Sequence, residues 1–192
     1  MSNDTTRDDN NLAEADLFRS IPWCQKILRD PDYELEPTSS RIHKGSTRED
    51  ALLAETLRTS DTIRGWTSLY RRPTKSRPLK DEVRTLLSLE PGLNGYPRVC
   101  HGGIVATILD EVLSILVAVC ARSEGRHGDN VTAYLNVTYV KPVPTPSVVL
   151  VKGKVDRVER RKHFATGEVV NEQGVVLAKV DGLFVSIERE KL

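Results

Sequence analysis

The chain has 192 residues, of which 39% are hydrophobic and 29% charged, a balance typical of one soluble globular domain with an extension. The formal net charge of +1 gives no general attraction for nucleic acid or for an anionic membrane surface. The three cysteines are an odd number without paired spacing, which argues against a disulfide framework or a metal site and favours reduced, cytoplasmic thiols.

Residues 1–60 are predicted to form an N-terminal extension. Its first 15 residues are polar and acidic, so disorder is expected there. They contain no basic segment followed by an apolar one and are too acidic for a typical mitochondrial transit peptide, which favours a cytoplasmic location. Mitochondrial and peroxisomal locations stay open. Apolar residues at helical spacing predict short helices over 17–28 and 48–59, with a proline-marked loop between them.

Residues 61–192 are predicted to form one α+β domain. Segments 61–72 and 81–90 have strand character, and a loop rich in glycine and proline follows them. A long helix then begins at Gly102 and ends near residue 121. Further strands are predicted within 131–143, 147–161, 163–173 and 174–188, with a hairpin turn at 171–174. Two strands, one helix and a run of antiparallel strands are typical of α+β folds rather than of alternating βαβ units.

The first strand after the helix has the clearest alternating pattern. Val131, Ala133, Leu135, Val137 and Tyr139 recur at every second position. A repeat of two residues indicates a strand, so these five side chains are expected to share one face of the sheet.

The long helix is apolar around most of its circumference, which predicts burial, yet it carries Asp110 and Glu111 in its middle. These charges argue against a membrane span. Burying an unpaired carboxylate is costly. Either the two acids lie at a solvent-facing or arginine-paired edge, or one lines an active-site pocket where desolvation raises its proton affinity. We favour the pocket for Asp110 and the edge for Glu111.

Two glycines open this helix. A helix N-terminus has unsatisfied N–H groups and the positive end of the dipole, so a carbonyl oxygen could bind at Gly102 as in an oxyanion hole, although two glycines can also simply form a tight turn. Gly102 and Asp110 are eight residues apart. That is about 12 Å along a helix, too far for both to reach one reacting group. A catalytic site would therefore be shared between two protomers of a dimer.

The segment HGGIVATILDEV, residues 101–112, and the strand after it resemble hotdog-fold acyl-CoA thioesterases. The likeness is to the phenylacetate-pathway type and to related eukaryotic thioesterase-superfamily proteins, and it covers residues 61–190 well and 17–35 loosely. It implies a hotdog fold, in which an antiparallel sheet wraps a long helix. It also implies dimers with sheets joined edge to edge, often paired into homotetramers. The implied reaction is hydrolysis of an acyl thioester of CoA or of an acyl carrier protein, with no metal and no cofactor.

The resemblance also implies roles for individual residues. The oxyanion-hole glycine falls on Gly102, a structural or polarising histidine on His101, and the catalytic acid on Asp110. Asp110 would attack the thioester carbonyl as a nucleophile or activate water as a general base, two routes that the sequence does not separate. Thr132 would place the water or the carboxylate, and Gly103 would offer a second amide to the substrate.

One position departs from the family pattern. Many relatives have an asparagine a few residues before the HGG motif, where this chain has Gly95. Asn94 lies one position earlier and is the candidate substrate-binding residue in its place.

The densest basic run offers candidate contacts for the CoA phosphates. Arg160, Arg161 and Lys162 lie within it, and arginine suits bidentate phosphate binding. A solvated charged face is the alternative.

Other reactive residues are given lesser roles. Surface or loop positions are expected for His43, His127 and His163. Cys100 precedes His101 directly, and adjacent side chains rarely point at one another, so a catalytic cysteine is not expected. Two rival functions stay open on the same fold: a hydratase, dehydratase or isomerase, and an acyl-binding module without turnover.

Overall fold

A computed structural model describes residues 14–126 and 128–187. The expectations for residues 1–13 and for His127 lie outside this part of the chain. Residues 14–19 are helical, so the disorder predicted for the first 15 residues does not extend to 14 and 15.

The helices are α1 (Pro22–Leu28) and α2 (Gly102–Ser123), with short 3-10 turns at Ser39–Arg41, Gly45–Thr47 and Pro91–Leu93 and a π-helical turn at Leu52–Thr56. The strands are β1 (Tyr33–Glu36), β2 (Ile63–Arg71), β3 (Glu82–Leu89), β4 (Asn94–Tyr96), β5 (Val99–Cys100), β6 (Asp129–Tyr139), β7 (Ser147–Glu159), β8 (Lys162–Val170) and β9 (Val176–Ile187).

Seven strands form one antiparallel sheet in the order β1-β2-β3-β7-β8-β9-β6, and β4 and β5 form a separate small hairpin. The long strands pair with their neighbours over most of their length. Glu82 of β3 lies opposite Lys154 of β7, and Tyr139 of β6 lies opposite Ala178 of β9. Strand β6 and strand β1 are the two edges. The α+β architecture predicted from the order of elements is confirmed.

Helix α2 is the buried core helix that the sheet wraps. It is long and apolar enough to cross a membrane by length and composition, but its apolar side chains pack into the main core cluster with residues of the sheet. Gly153 lets it approach closely, because a Cβ there would lie 2.9 Å from Leu113 Cδ2. The buried residues of the helix are Val105, Ile108, Leu109, Val112, Leu113, Leu116, Val117, Val119, Cys120 and Ala121.

The extension differs from its predicted helices. The single helix expected over 17–28 is divided, since a turn follows residue 19 and α1 restarts with Pro22 at its first position, where a missing N–H costs nothing. The helix expected over 48–59 is reduced to the π-helical turn, because Arg48 and Asp50 adopt left-handed backbone angles that an α-helix excludes. The proline-marked loop contains β1, which pairs with β2.

The extension is tied to the domain by a buried carboxylate. Glu14 Oε1 accepts hydrogen bonds from Arg41 Nη2 at 3.2 Å and from Arg58 Nε at 2.8 Å. Its Oε2 accepts from the Trp66 amide at 2.9 Å. Arg41 also donates to the Ile63 carbonyl at 2.9 Å. The predicted boundary between residues 60 and 61 therefore does not coincide with a break in the packing.

Strand β6 contains a bulge that changes its predicted alternation. Thr132 lies opposite Phe184 and Tyr134 opposite Leu183, so Ala133 is the extra residue. Since Phe184 is fully buried on the helix face, Thr132 is on that face too. Beyond the bulge the predicted face continues, and Leu135 and Val137 pack against the core. The outer residues of this edge strand, including Tyr134, are exposed.

His163 is not at the surface as expected, because its side chain is 0% exposed on β8. It lies opposite Phe184, on the face that packs against α2. Burial lowers the pKa of its imidazole, and the positive charge of Arg126 lowers it further, against an opposing effect of Glu124. His43 does lie at the surface, next to Glu55.

Acid is expected to destabilise the fold through His163. Its folded pKa is below its unfolded value of about 6.5, so its contribution to stability is present above that pH and lost as pH falls toward the folded pKa. One proton limits the slope to about 1.4 kcal/mol per pH unit. Urea unfolding between pH 7.5 and 5.5 should give a shallower loss in His163→Leu than in wild type. An unchanged slope in His163→Leu would contradict this role.

Candidate active site

The structure brings Asp110 and Thr132 together. Asp110 lies in the third turn of α2, half-buried, and its Oδ1 accepts a hydrogen bond from Thr132 Oγ1 at 2.8 Å. The bulge in β6 turns the threonine toward the helix. One carboxylate oxygen is thereby fixed and the other is left for a reacting partner, at the side of the helix that faces the open sheet edge.

The neighbouring acid has a different environment. Burial raises the pKa of the Glu111 carboxyl, and the negative charges of Asp50 and Asp110 add to the rise, whereas Ser40 and Lys44 oppose it. Apart from Asp110, these neighbours belong to the extension, so Glu111 faces the extension rather than the sheet edge. The two acids therefore lie on different sides of the helix.

The N-terminus of α2 presents one uncommitted amide. His101 caps the helix, since its Nδ1 accepts from the Gly103 amide at 3.0 Å. Because Nδ1 is the acceptor, the neutral ring has its proton on Nε2. In the described part of the chain, no acceptor binds the Gly102 amide. The predicted role of Gly103 as a second substrate donor stays a prediction that requires its bond to His101 to break.

Tyr139 is a site residue that the sequence did not indicate. Its hydroxyl donates to the Gly102 carbonyl at 2.8 Å. Its ring lies 3.5 Å from the point where a Cβ on Gly102 would be. The tyrosine therefore supports the glycine turn from β6. The alternation of β6 put Tyr139 on the same face as Leu135, but the contact joins residues 37 positions apart and has no local signal.

The departure from the family pattern before the HGG motif has a structural counterpart. Gly95 lies against His101, since a Cβ there would lie 3.0 Å from His101 Cα. The Asn94 side chain instead accepts a hydrogen bond from the Thr145 hydroxyl. The role of Asn94 in substrate binding stays a prediction, and the structure gives its amide oxygen a partner within the protein.

The basic run lies at the other end of the helix from Gly102. Arg160 and Arg161 form the turn between β7 and β8, and the Arg160 carbonyl accepts from Arg126 Nη1 at 2.9 Å, just beyond the end of α2. Lys162 begins β8. Within one chain, the 22-residue helix separates this run from Gly102 by about 33 Å. Its contact with CoA phosphates stays a prediction.

A cleft opens beside the free amide. Its volume is about 340 Å³ and its wall is mostly apolar. The lining residues are Val99, Cys100, Gly102, Val105, Tyr139, Val140, Lys141, Pro142 and Val143. Burial raises the pKa of the Cys100 thiol to about 11, so it stays protonated at neutral pH and is a poor nucleophile. A larger cavity of about 680 Å³ lies over the outer face of the sheet and includes none of the predicted site residues.

The arrangement can polarise a carbonyl and supply a base or nucleophile. The free amide at the positive end of α2 can bind a carbonyl oxygen, and the half-buried carboxylate can act on the carbonyl carbon or on water. Within the described residues, no cluster of three His, Cys, Asp or Glu side chains has the geometry to hold a metal ion.

Comparison with known families matches the same part of the chain. The thioesterase superfamily model matches residues 98–178, which include His101, Gly102, Asp110 and Thr132. Acyl-coenzyme A thioesterase THEM4 from Mus musculus is 36% identical over 115 residues, 58% of this chain and 47% of that protein. The uncharacterized protein C26H8.11c from Schizosaccharomyces pombe is 35% identical over 97 residues, 48% of this chain and 53% of that protein. The chain thus spans about half the length of the curated relatives it matches.

Solved structures share the architecture. A hypothetical thioesterase protein from Streptococcus pneumoniae, solved as an Asp52Ala mutant in its own numbering, aligns with a TM-score of 0.55 and 16% identity, over 68% of this chain and 100% of that one. The BH2602 protein from Bacillus halodurans, solved with CoA, aligns with a TM-score of 0.50 and 24% identity, over 62% and 74% of the two chains. At these identities the likeness concerns the fold, and the predicted hotdog fold is confirmed.

Proposed function

We propose, on the premise that residues 98–178 form a thioesterase-superfamily domain, that the protein hydrolyses acyl-CoA thioesters. One observation carries this proposal: within the matched segment, a single helix combines an uncommitted amide at Gly102 with a threonine-bonded carboxylate at Asp110. Acyl transfer from a thioester needs these two functions, a donor for the oxyanion and a base or nucleophile for the carbonyl carbon.

The reaction follows from these two groups. The thioester oxygen accepts a hydrogen bond from the Gly102 amide, which stabilises the negative charge of the tetrahedral intermediate. In one route Asp110 attacks the carbonyl carbon, the CoA thiolate leaves, and water cleaves the resulting anhydride. In the other route Asp110 removes a proton from the water that attacks. Both routes consume one water and yield a carboxylic acid and CoA thiol, and Thr132 orients the carboxylate in both.

Each active site is shared between two protomers. Gly102 and Asp110 are about 12 Å apart along α2, so one chain does not offer both to one carbonyl. Two antiparallel copies of the helix bring the N-terminus of one beside the middle of the other. The open edge strand β6 supports such a pairing, since Thr132 and Tyr139 lie on it and its exposed backbone groups can pair with the same strand of a second copy.

Mixing two inactive variants should restore activity. In a heterodimer of Gly102→Pro and Asp110→Asn, one site combines both defects and the other has neither. Random exchange makes half of the dimers mixed, so thiol release should recover to about a quarter of the wild-type rate per site. The assay measures CoA thiol release after the two variants have exchanged subunits.

Two controls accompany this mixture. Each variant alone, and the mixture assayed before exchange, should stay inactive. If heterodimers purified with two different tags remain inactive, the site lies within one protomer and the shared arrangement is wrong.

Wild-type protein also separates hydrolysis from the rival functions. Thiol release from a panel of short, aromatic and long-chain acyl-CoAs supports a hydrolase. Binding of acyl-CoA without thiol release identifies an acyl-binding module. Change of the acyl group with the thioester intact identifies a hydratase, dehydratase or isomerase.

A further inference from the structure

The cleft beside Gly102 has a long wall that runs away from the helix. The loop after β6 lies antiparallel to β5: Val99 bridges Pro144, and the Cys100 amide donates to the Val143 carbonyl at 2.8 Å. The Thr145 amide donates to the Arg98 carbonyl at 3.1 Å. This register continues to Lys141 near the level of Gly102. Arg98 then lies about 13 Å farther along the wall.

The rim of this cleft is cationic and carries an exposed ring. Lys141 lines the cleft and Arg98 lies at its outer end, and both side chains are exposed. Segments 94–102 and 139–145 contain no acidic residue, and in the described part of the chain neither cation has an ion-pair partner. Tyr96 pairs with Val99 across the β4–β5 hairpin and is 77% exposed.

Arg98 has a backbone conformation that is unusual for arginine. Pro97 and Arg98 connect β4 to β5, and Arg98 adopts a left-handed φ of 64°. Glycine or asparagine is the ordinary choice at the second position of such a turn. The arginine keeps a cation at the tip of the hairpin at the expense of backbone strain, and such strain is concentrated at functional sites.

We infer that Tyr96 and Arg98 bind the phosphate-bearing nucleotide end of coenzyme A, while the pantetheine arm lies in the apolar cleft that leads past Lys141 to Gly102. The inference rests on the proposed function for its substrate. The thioester lies at the free amide, the arm follows the wall for about 13 Å, and the phosphates meet Arg98, since arginine is a usual phosphate ligand. The adenine ring stacks on the exposed tyrosine, as bases do on aromatic side chains.

This site differs from the basic run Arg160–Lys162 in its place. The run lies beyond the C-terminal end of α2, whereas the cleft and Arg98 lie near the N-terminal end of this helix. The two locations can be tested against each other, because Arg160 is also a left-handed residue, with a φ of 55° in a hairpin turn.

The test compares Arg98→Gly with wild type on two substrates. An acyl-CoA and the same acyl group on pantetheine, which lacks the nucleotide, present the same thioester. Arg98→Gly should raise KM for the acyl-CoA about tenfold, the effect of losing one charge-assisted contact, and leave kcat and the KM for acyl-pantetheine unchanged. Tyr96→Ala should act in the same direction.

Arg48→Gly is the matched control. Arg48 is likewise exposed and left-handed, with a φ of 53°, but lies in the extension, and its substitution removes the same charge and the same strain. It should leave both KM values unchanged. If Arg160→Gly raises KM for acyl-CoA and Arg98→Gly does not, the nucleotide lies at the basic run and the inference is wrong. Equal KM values of wild type for the two substrates would also overturn it.

Calorimetric titration with coenzyme A and with pantetheine separates this inference from the proposed function. Wild type should bind coenzyme A more tightly than pantetheine, and Arg98→Gly should remove most of that difference. If this result holds in a protein that hydrolyses no thioester, the hydrolase proposal fails and the nucleotide site stands. If wild type acts only on a carrier-protein thioester and does not bind coenzyme A, the nucleotide site fails and thioester hydrolysis stands.

Discussion

Replacing Asp110 with asparagine is expected to lower kcat for acyl-CoA hydrolysis by about 10²–10⁴-fold, the usual contribution of a positioned base. The substitution keeps the size of the side chain. It also leaves an amide oxygen that can accept the hydrogen bond that the Thr132 hydroxyl donates to Asp110 at 2.8 Å in the wild-type protein. It removes the charge that attacks the carbonyl or accepts a proton from water. The measurement is thiol release at saturating acyl-CoA, with urea unfolding to verify that stability is retained.

Glu111→Gln is the matched control for this prediction. It makes the same chemical change one residue away, on the side of the helix that faces the extension. Burial raises the pKa of the Glu111 carboxyl, and its neighbours Ser40, Lys44 and Asp50 belong to the extension rather than to the sheet edge. Activity should stay within a few-fold of wild type. If Glu111→Gln is inactive and Asp110→Asn is active, the two acids have been assigned the wrong way round.

Replacing Gly102 with proline is expected to lower kcat by about 10²–10³-fold, as does loss of one oxyanion-hole donor. Gly102 is the first residue of α2, where proline is well tolerated because no helical hydrogen bond starts there. His101 has φ −59° and ψ 133°, the extended conformation that a residue before proline prefers. The substitution therefore deletes the amide proton without disturbing the helix.

Gly102→Ala distinguishes a requirement for the Gly102 amide from a requirement for the empty space beside it. Alanine keeps the N–H, and its Cβ would lie 3.5 Å from the Tyr139 ring, an ordinary contact. Its loss of activity should be far smaller than that of the proline variant. Equal losses in the two variants would mean that the site requires space at Gly102 rather than its amide.

The sequence predicted the features that depend on local pattern. The apolar circumference of 102–121 predicted the buried helix, and the strand order predicted an α+β fold. The spacing from Gly102 to Asp110, with the family resemblance, led to a site in which Thr132 places the water or the carboxylate, and in the structure the Thr132 hydroxyl donates to Asp110. Both the periodicity and the spacing are properties of one helix, so they can be recognised from the sequence without knowledge of the packing.

The features it did not predict depend on pairing across the sheet. The bulge at Ala133 can be recognised only from the pairing of β6 with β9. It places Thr132 on the face that packs against the helix, whereas simple alternation would place it on the opposite face. The burial of His163 depends on which face of β8 meets α2. Strand β1 is too short and too charged to have an apolar pattern of its own, and it forms because β2 offers an edge.

That short first strand also limits how copies of the chain can associate. A sheet with two open edges can add copies at both and grow without end, whereas one open edge allows a closed pair. Strand β1 covers β2 with four residues, presents the charged Glu34 and Glu36, and ends before Pro37, a combination that discourages further pairing. The long β6 is left as the favourable edge. With pairing through β6 as proposed, we expect the extension to prevent growth at the opposite edge, and we expect a fragment beginning at residue 61 to expose β2 as a second edge for pairing.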